Sequence, residues 1–302
     1  MRKLFVESLV RVAEADDRII LLSGDLGYGA LEPFIDRFPS RFINAGVAEQ
    51  NMIGVATGLA RLGLCPVVYS IGNFPTLRAL EQIRNDAAYH DANVKIVSAG
   101  TGLTYGSAGF SHYATEDIGV MRAMPGVRLF APADAEDIMS CTEHACSVPG
   151  VAYLRLGRGT VTLPSSMSPF RQGFWRWAGD GNDVALLGSG EVLTEVAEAH
   201  SILQAKGLSC RIVNCNQLSS VSDDAVLSSI ADAEQVVVVE EHVASGGIGE
   251  LVAAALARAN WQGRVSMLAI LDSRIKMPGS PQFLRKRFGV DAASIVEAVA
   301  KP

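Results

Sequence analysis

Glu49 and His112 are the residues whose type and setting could do chemistry. Glu49 lies in Asn44–Leu64, NAGVAEQNMIGVATGLARLGL, which reads as a strand end, a glycine turn and then a helix. Met52, Ala56 and Leu59 fall on one face of that helix, with Ile53 and Ala60 beside them. A carboxylate in a first turn meets the helix dipole favourably, so one reading is an acid that stabilises its own helix. The other is a single carboxyl at the mouth of a tight apolar pocket, placed to hold or release a proton. Gly54 and Gly58, four apart, would let another backbone come close. His112 ends the uncharged, glycine-rich run Ile96–Thr115. An imidazole there can donate, accept or shuttle a proton near neutral pH, although a lone loop histidine is commonly just solvated. Asp25, in SGDLGYG, sits at a glycine turn, where an aspartate also serves by bonding backbone alone.

These residues must be positioned by the elements around them. A helix over Lys3–Glu14 precedes a strand at Ile19–Leu22, a short helix near Leu31–Arg37 and a strand at Phe42–Asn44. Pro66–Tyr69 and Val94–Ala99 read as strands. Between them Leu77–Tyr89 reads as a helix with Leu80, Ile83 and Ala87 on one face. A helix starts at Thr115, with Thr115–Glu116–Asp117 as its cap and acidic first turn. A strand at Val127–Ala131, a helix at Asp134–Ser147 and a strand at Val151–Leu156 close a first unit, 1–162. The segment 163–181 holds Pro164, Pro169, Trp175 and Trp177 without periodicity and reads as a linker. A second unit, 182–302, repeats the alternation from Val184 to Ile270. Buried, β-branched strands alternating with helices predict an α/β protein of two domains. Each would have a mostly parallel sheet covered by helices.

Length and composition agree. The 302 residues suffice for two domains; the chain is 49% hydrophobic and 19% charged, which suits a globular fold. The net charge of −6 and the lack of a Lys/Arg run argue against nucleic acid or an anionic membrane as partner. No signal peptide or membrane span is read, and the expected location is the cytoplasm. Cys65, Cys141, Cys146, Cys210 and Cys215 lack metal-site spacing and are expected to be free, buried thiols. His90 reads as a cap at a helix end, and His144 and His200 as exposed helical side chains.

Five stretches, in order, resemble the C-terminal half of transketolase. They are GVAEQNM (Gly46–Met52), FPTLRALEQIRN (Phe74–Asn85), FSHYATED (Phe110–Asp117), FAPADAED (Phe130–Asp137) and VVVVEEHVASGGIGE (Val236–Glu250). The closer likeness is to the second subunit of a split transketolase, in which that half is a separate chain. The resemblance implies a pyrimidine-binding domain for thiamine diphosphate followed by a transketolase C-terminal domain. It also implies an enzyme that moves a two-carbon ketol unit from a ketose donor to an aldehyde acceptor. Thiamine diphosphate supplies the carbanion chemistry. The diphosphate and its divalent metal, Mg or Ca, would be held by a partner subunit, in a two-plus-two heterotetramer. GDGN at Gly179–Asn182 looks like the family's diphosphate–metal motif but follows an irregular segment instead of a strand. It is read as a turn, and no metal is assigned to this chain.

The resemblance carries roles residue by residue. Glu49 matches the glutamate that bonds the aminopyrimidine, and Phe74 the aromatic that stacks on it. Arg78 and Asp25 match positions near the cofactor, and Tyr69, at the end of the preceding strand, is expected to line the pocket with them. His112 matches the histidine that contacts substrate oxygens. Arg158 matches an arginine that binds a sugar phosphate, and Arg2 falls near a second; a guanidinium fork suits such oxygens. There are departures. Ser107 and Ala108 stand where an acidic pair is expected, Gly100 where a histidine is, and Gly29 where a phosphate-binding serine is. The cofactor half of the site is kept and the sugar half altered, so a non-standard donor or acceptor is expected. The rival readings are the beta subunit of a 2-oxoacid dehydrogenase's first component, the matching half of a 1-deoxyxylulose-5-phosphate synthase, and a non-catalytic assembly subunit.

Overall fold

The computed structural model describes residues 1–219, 221–271 and 277–301. The first unit runs α1 (Arg2–Ala15), β1 (Ile19–Ser23), α2 (Glu32–Arg37), β2 (Phe42–Asn44), α3 (Glu49–Arg61), β3 (Cys65–Ile71) and α4 (Leu80–Gln82). It continues through a π-helical turn at Ile83–Ala88 into β4 (Lys95–Ala99), α5 (Asp117–Arg122), β5 (Arg128–Phe130), α6 (Ala135–Ser147) and β6 (Ala152–Leu156). Its six strands form one parallel sheet in the order β2-β1-β3-β4-β6-β5. Every strand therefore ends at the same edge. Loops at the carboxyl ends of such strands are where α/β folds build ligand sites. Both faces are buried: β1, β4 and β6 are covered over their whole lengths, as their unbroken apolar character requires.

The second unit contains β7 (Arg176–Ala178), β8 (Val184–Gly188), α7 (Leu193–Ala205), β9 (Cys210–Asn214), α8 (Asp223–Ile230), β10 (Gln235–Val243), α9 (Ile248–Arg258), β11 (Arg264–Ile270), α10 (Pro281–Phe288) and α11 (Ala292–Ala300). Its sheet order is β11-β10-β8-β9-β7, parallel except for β7, which runs antiparallel to β9. No helix among the described residues is long and apolar enough to cross a membrane. All five cysteines are buried and free.

Three local expectations change. The helix expected over Leu77–Tyr89 is delayed to Leu80. Gly72 at φ +54 and Pro75, which has no amide hydrogen, wind Asn73–Ala79 into successive turns first. Thr115 does not cap α5. Its hydroxyl donates to Glu116 Oε2 (2.9 Å), and the buried Asp117 carboxylate faces away from the helix amides toward Tyr153 and Arg155. The segment 163–181 is not wholly irregular, because β7 adds an edge strand too short to show a period. His144 and His200 also differ from their reading. His144 is half-buried between the Phe130 and Phe170 rings, and His200 is buried with Nε2 3.3 Å from the Cys210 carbonyl. Burial lowers the pKa of both imidazoles.

The seam between the units is ionic and buried. Asp117 Oδ2 accepts from Tyr153 Oη (2.6 Å) and Arg155 Nε (2.8 Å), while Arg155 Nη2 reaches the carbonyls of Ala114 and Glu241. Glu241 accepts from the Leu103 amide and from Arg285. His242 Nε2, buried beside them, accepts from the Gly119 amide at 3.1 Å. Glu240 turns back onto α9, accepting from the amides of Ile248 (2.7 Å) and Gly249 (3.1 Å). Burial pushes Glu240 up to about 7, against those amides and the nearby Arg155 and Arg122. Between an unfolded value near about 4.5 and about 7, the folded chain keeps a proton that the unfolded chain releases. Stability should therefore fall as pH rises through that window. Glu240→Gln should flatten the slope in urea titrations at several pH values; an unaltered slope would assign it to other groups.

Candidate active site

Glu49 is the first residue of α3, entered through Gly46 at φ +70, a left-handed turn that favours glycine. The turn is braced by Asn44, whose Oδ1 accepts from the Gly46 amide (3.0 Å) and whose Nδ2 donates to Asp25 Oδ1 (2.9 Å). Asp25 also accepts from Tyr28 Oη (2.8 Å), and these bonds hold its carboxyl below the usual range, Asn44 contributing most. Asp25 thus ties the loop after β1 to the turn that presents Glu49.

The Glu49 side chain is 1% exposed. Its Oε2 accepts from Arg78 Nη1 at 2.8 Å, and Ser70 Oγ, on the facing side of β3, lies 3.4 Å from Oε1. The Arg78 side chain is 44% exposed, and its guanidinium lies 4.3 Å over the Phe74 ring centroid. Phe74 in turn meets His112 edge-on, their ring centroids 5.2 Å apart. Four residues from three loops therefore form one contiguous series: Glu49, Arg78, Phe74 and His112. The His112 backbone is seated by a close approach: a Cβ at Gly72 would lie 2.9 Å from the His112 carbonyl oxygen. Ser111 Oγ is 3.0 Å from His112 Nδ1.

The slot bounded by Glu49 and Phe74 suits a particular kind of group. It already holds a flat N–H donor, the Arg78 guanidinium, stacked on an aromatic face and paired with a buried carboxylate. An aminopyrimidine carrying a ring N–H has the same shape and the same demands. The residues present therefore fit the pyrimidine end of thiamine diphosphate.

Other sequence-selected residues sit further out. Tyr69 precedes Ser70 on β3 and so points to the opposite face of the sheet. There it is buried against Phe5, its hydroxyl meets no hydrogen-bond geometry among the described residues although Arg2 lies near it, and burial raises its pKa to about 12. Arg158 is exposed at the end of β6. Its amide and that of Gly159 donate to Glu191 Oε1. Arg2 begins α1, next to Met1, whose sulfur contacts the Gly157 amide, so both arginines approach the same strand edge. His90 is exposed and packs edge-on to Tyr89. Ser107 and Ala108 are exposed, and among the described residues none comes within 4 Å of where a Cβ at Gly54 or Gly58 would lie, leaving that face of α3 open. GDGN is a bend between β7 and β8, with Gly179 and Gly181 in left-handed conformations against Cys210 and Arg211. The Asn214 and Asn216 amides are spent on Asp137. The sequence reading missed two groups at the site, Ser70 and Tyr105. The signal for Ser70 was a lone serine in the buried strand CPVVYSI.

Comparison with known proteins places the chain in a family. Residues 1–164 match the transketolase pyrimidine-binding domain, and residues 173–295 the transketolase C-terminal domain. The chain is 30% identical to a subunit of the apulose-4-phosphate transketolase of Actinobacillus succinogenes, over 98% of this chain and 96% of that one. It is 31% identical to a 6-deoxy-6-sulfo-D-fructose transketolase subunit of Clostridium sp. (strain MSTE9), over 99% and 92%. Among solved structures, the inactive beta4 tetramer of a split-gene transketolase superposes with a TM-score of 0.85 at 32% identity, over 99% of this chain and 96% of that one. The chain belongs to the transketolase family, as its pyrimidine-binding and C-terminal section.

Proposed function

We propose that this chain is the C-terminal subunit of a split transketolase. With its partner it transfers a two-carbon ketol unit from a ketose to an aldehyde, using sugars other than the common pentose and heptulose phosphates. The observation that carries the reading is the contiguous series Glu49, Arg78, Phe74 and His112, with the short Ser107 and Ala108 beside it. When bound, thiamine diphosphate supplies the carbanion chemistry that breaks and forms the carbon–carbon bond.

The chain's own residues supply the rest. Glu49 holds a proton at its carboxyl against the pyrimidine ring nitrogen. Phe74 offers a flat apolar face for that ring, and the buried wall behind it keeps water away from Glu49. Arg78 is the counter-ion of Glu49 and swings aside into solvent, where it is already partly exposed. His112 donates to an oxygen of the reacting sugar and takes the proton back as the bond changes. Arg158 and Arg2 take an anionic end of the sugar, Asp25 braces the Glu49 turn, and Tyr69 backs the strand.

The partner subunit holds the diphosphate and a divalent metal, Mg or Ca, and two copies of each chain assemble with two-fold symmetry. The open α3 face at Gly54 and Gly58 is suited to that contact. The relatives support both parts: they are named as transketolase subunits, and their named sugars are uncommon. The test is an assay of the purified two-subunit complex with xylulose 5-phosphate, sedoheptulose 7-phosphate, apulose 4-phosphate and 6-deoxy-6-sulfofructose as donors. The expected preference is for a donor outside the first pair. Full activity on that first pair would overturn the altered specificity.

A further inference from the structure

Tyr105 stands next to the proposed site and has no assigned role. Its ring lies on the backbone of Gly100 at the end of β4, where any Cβ would overlap ring atoms Cε2 and Cδ2. Gly100 is also left-handed, at φ +79, so the seat exists only because position 100 is glycine. A ring held this way is fixed although it belongs to a loop. On its far side the ring faces His112 edge-on, centroids 6.4 Å apart. It is thus the next member of the series that runs from Glu49 through Phe74 to His112.

The other neighbours of Tyr105 point toward the arginines. Thr104 Oγ1 donates to Glu191 Oε2 at 2.6 Å, and Oε1 of the same carboxylate takes the Arg158 and Gly159 amides. The Gly100 seat of the ring is tied to the same strand end: the Gly100 amide donates to the Leu156 carbonyl (2.7 Å), and the next amide along, Gly157, contacts the Met1 sulfur beside Arg2. Tyr105 therefore has His112 on one side, while its neighbour Thr104 and its Gly100 seat tie it to the segments that carry Arg158 and Arg2. Tyr105 is half-buried, and none of the side-chain hydrogen bonds found among the described residues involves its hydroxyl. Ser107 and Ala108, on the same loop, are short and exposed, so the phenol is the long polar reach on this side of His112.

We propose that Tyr105 is a specificity-determining residue, its hydroxyl hydrogen-bonding a hydroxyl on the ketose chain between the reacting carbonyl and the anionic end. A phenol both donates and accepts, which matches a sugar hydroxyl. A site built to bond a hydroxyl discriminates strongly against a substrate lacking it, because its polar group is then left unpaired. The inference rests on the ketol-transfer reading given above.

The test uses the two-subunit complex and Tyr105→Phe, which keeps the ring and its seat on Gly100. kcat/KM is measured for the best ketose of the four-donor panel and for hydroxypyruvate, which has the ketol carbons but no further chain hydroxyl. The ketose-to-hydroxypyruvate ratio is expected to fall at least about tenfold, with the rise in ketose KM exceeding any fall in kcat. An unchanged ratio in a complex that turns over both donors would overturn the role of Tyr105 alone. Wild-type complex that cleaves neither hydroxypyruvate nor any ketose would overturn the ketol-transfer reading, and this inference with it.

Discussion

Glu49→Gln, made in the two-subunit complex, should lower kcat by about 10²–10⁴. The amide keeps the shape of the buried side chain but cannot hold and return a proton. Arg78 loses its counter-ion, yet at 44% exposure it stays solvated, so the fold should tolerate the change. The loss should appear in turnover with hydroxypyruvate as well as with sugars, since the step served by Glu49 precedes any reading of the sugar chain. Turnover within twofold of wild type would remove Glu49 from the chemistry and return it to a helix-start acid.

The second large effect is on stability. Asp117 is fully buried and is the carboxylate partner of Arg155, itself 4% exposed. Asp117→Ala would leave that guanidinium buried without its counter-ion and Tyr153 Oη without its acceptor. Breaking a buried pair in this way costs about 3–5 kcal/mol. Urea unfolding should show the midpoint falling with little change in slope. A loss below about 1 kcal/mol, the level of an exposed pair, would mean that water enters the seam and solvates Arg155.

Much of the site was legible because its residues lie in short, ordered stretches at strand ends. Glu49 follows a glycine turn, Phe74 and Arg78 share one stretch, and His112 ends a glycine-rich loop; the structure brings all four together. What stayed hidden depends on contacts between distant segments. Nothing local in Asp117 announces Arg155 and Tyr153, which lie more than thirty positions away. The first-turn pattern at Thr115–Asp117 suggested a cap because capping is a local signal, and a tertiary ion pair overrode it. Tyr105 was invisible for a similar reason. Its importance comes from a missing side chain at Gly100, and periodicity does not register an absence. The last two helices went unread, since the reading stopped at Ile270, although their ends carry local signals. Ser280 and Asp291 cap α10 and α11, and Gly289 ends the first of them.

The segment around Arg176 has a consequence for how the gene could be divided. Arg176 belongs to β7 of the second sheet, yet its guanidinium is bound by Asp134, Glu136 and Asp137 of the first unit. Asp137, fully buried, also receives the amides of Asn214 and Asn216. Parting the two units between 163 and 175 would strip from Asp137 every side-chain donor it has among the described residues and leave it only the Ala133 amide. The family tolerates separation into subunits elsewhere, as its subunit-named relatives show. Within this chain the two sheets share one buried ion network, so each covers polar groups that the other would otherwise leave exposed.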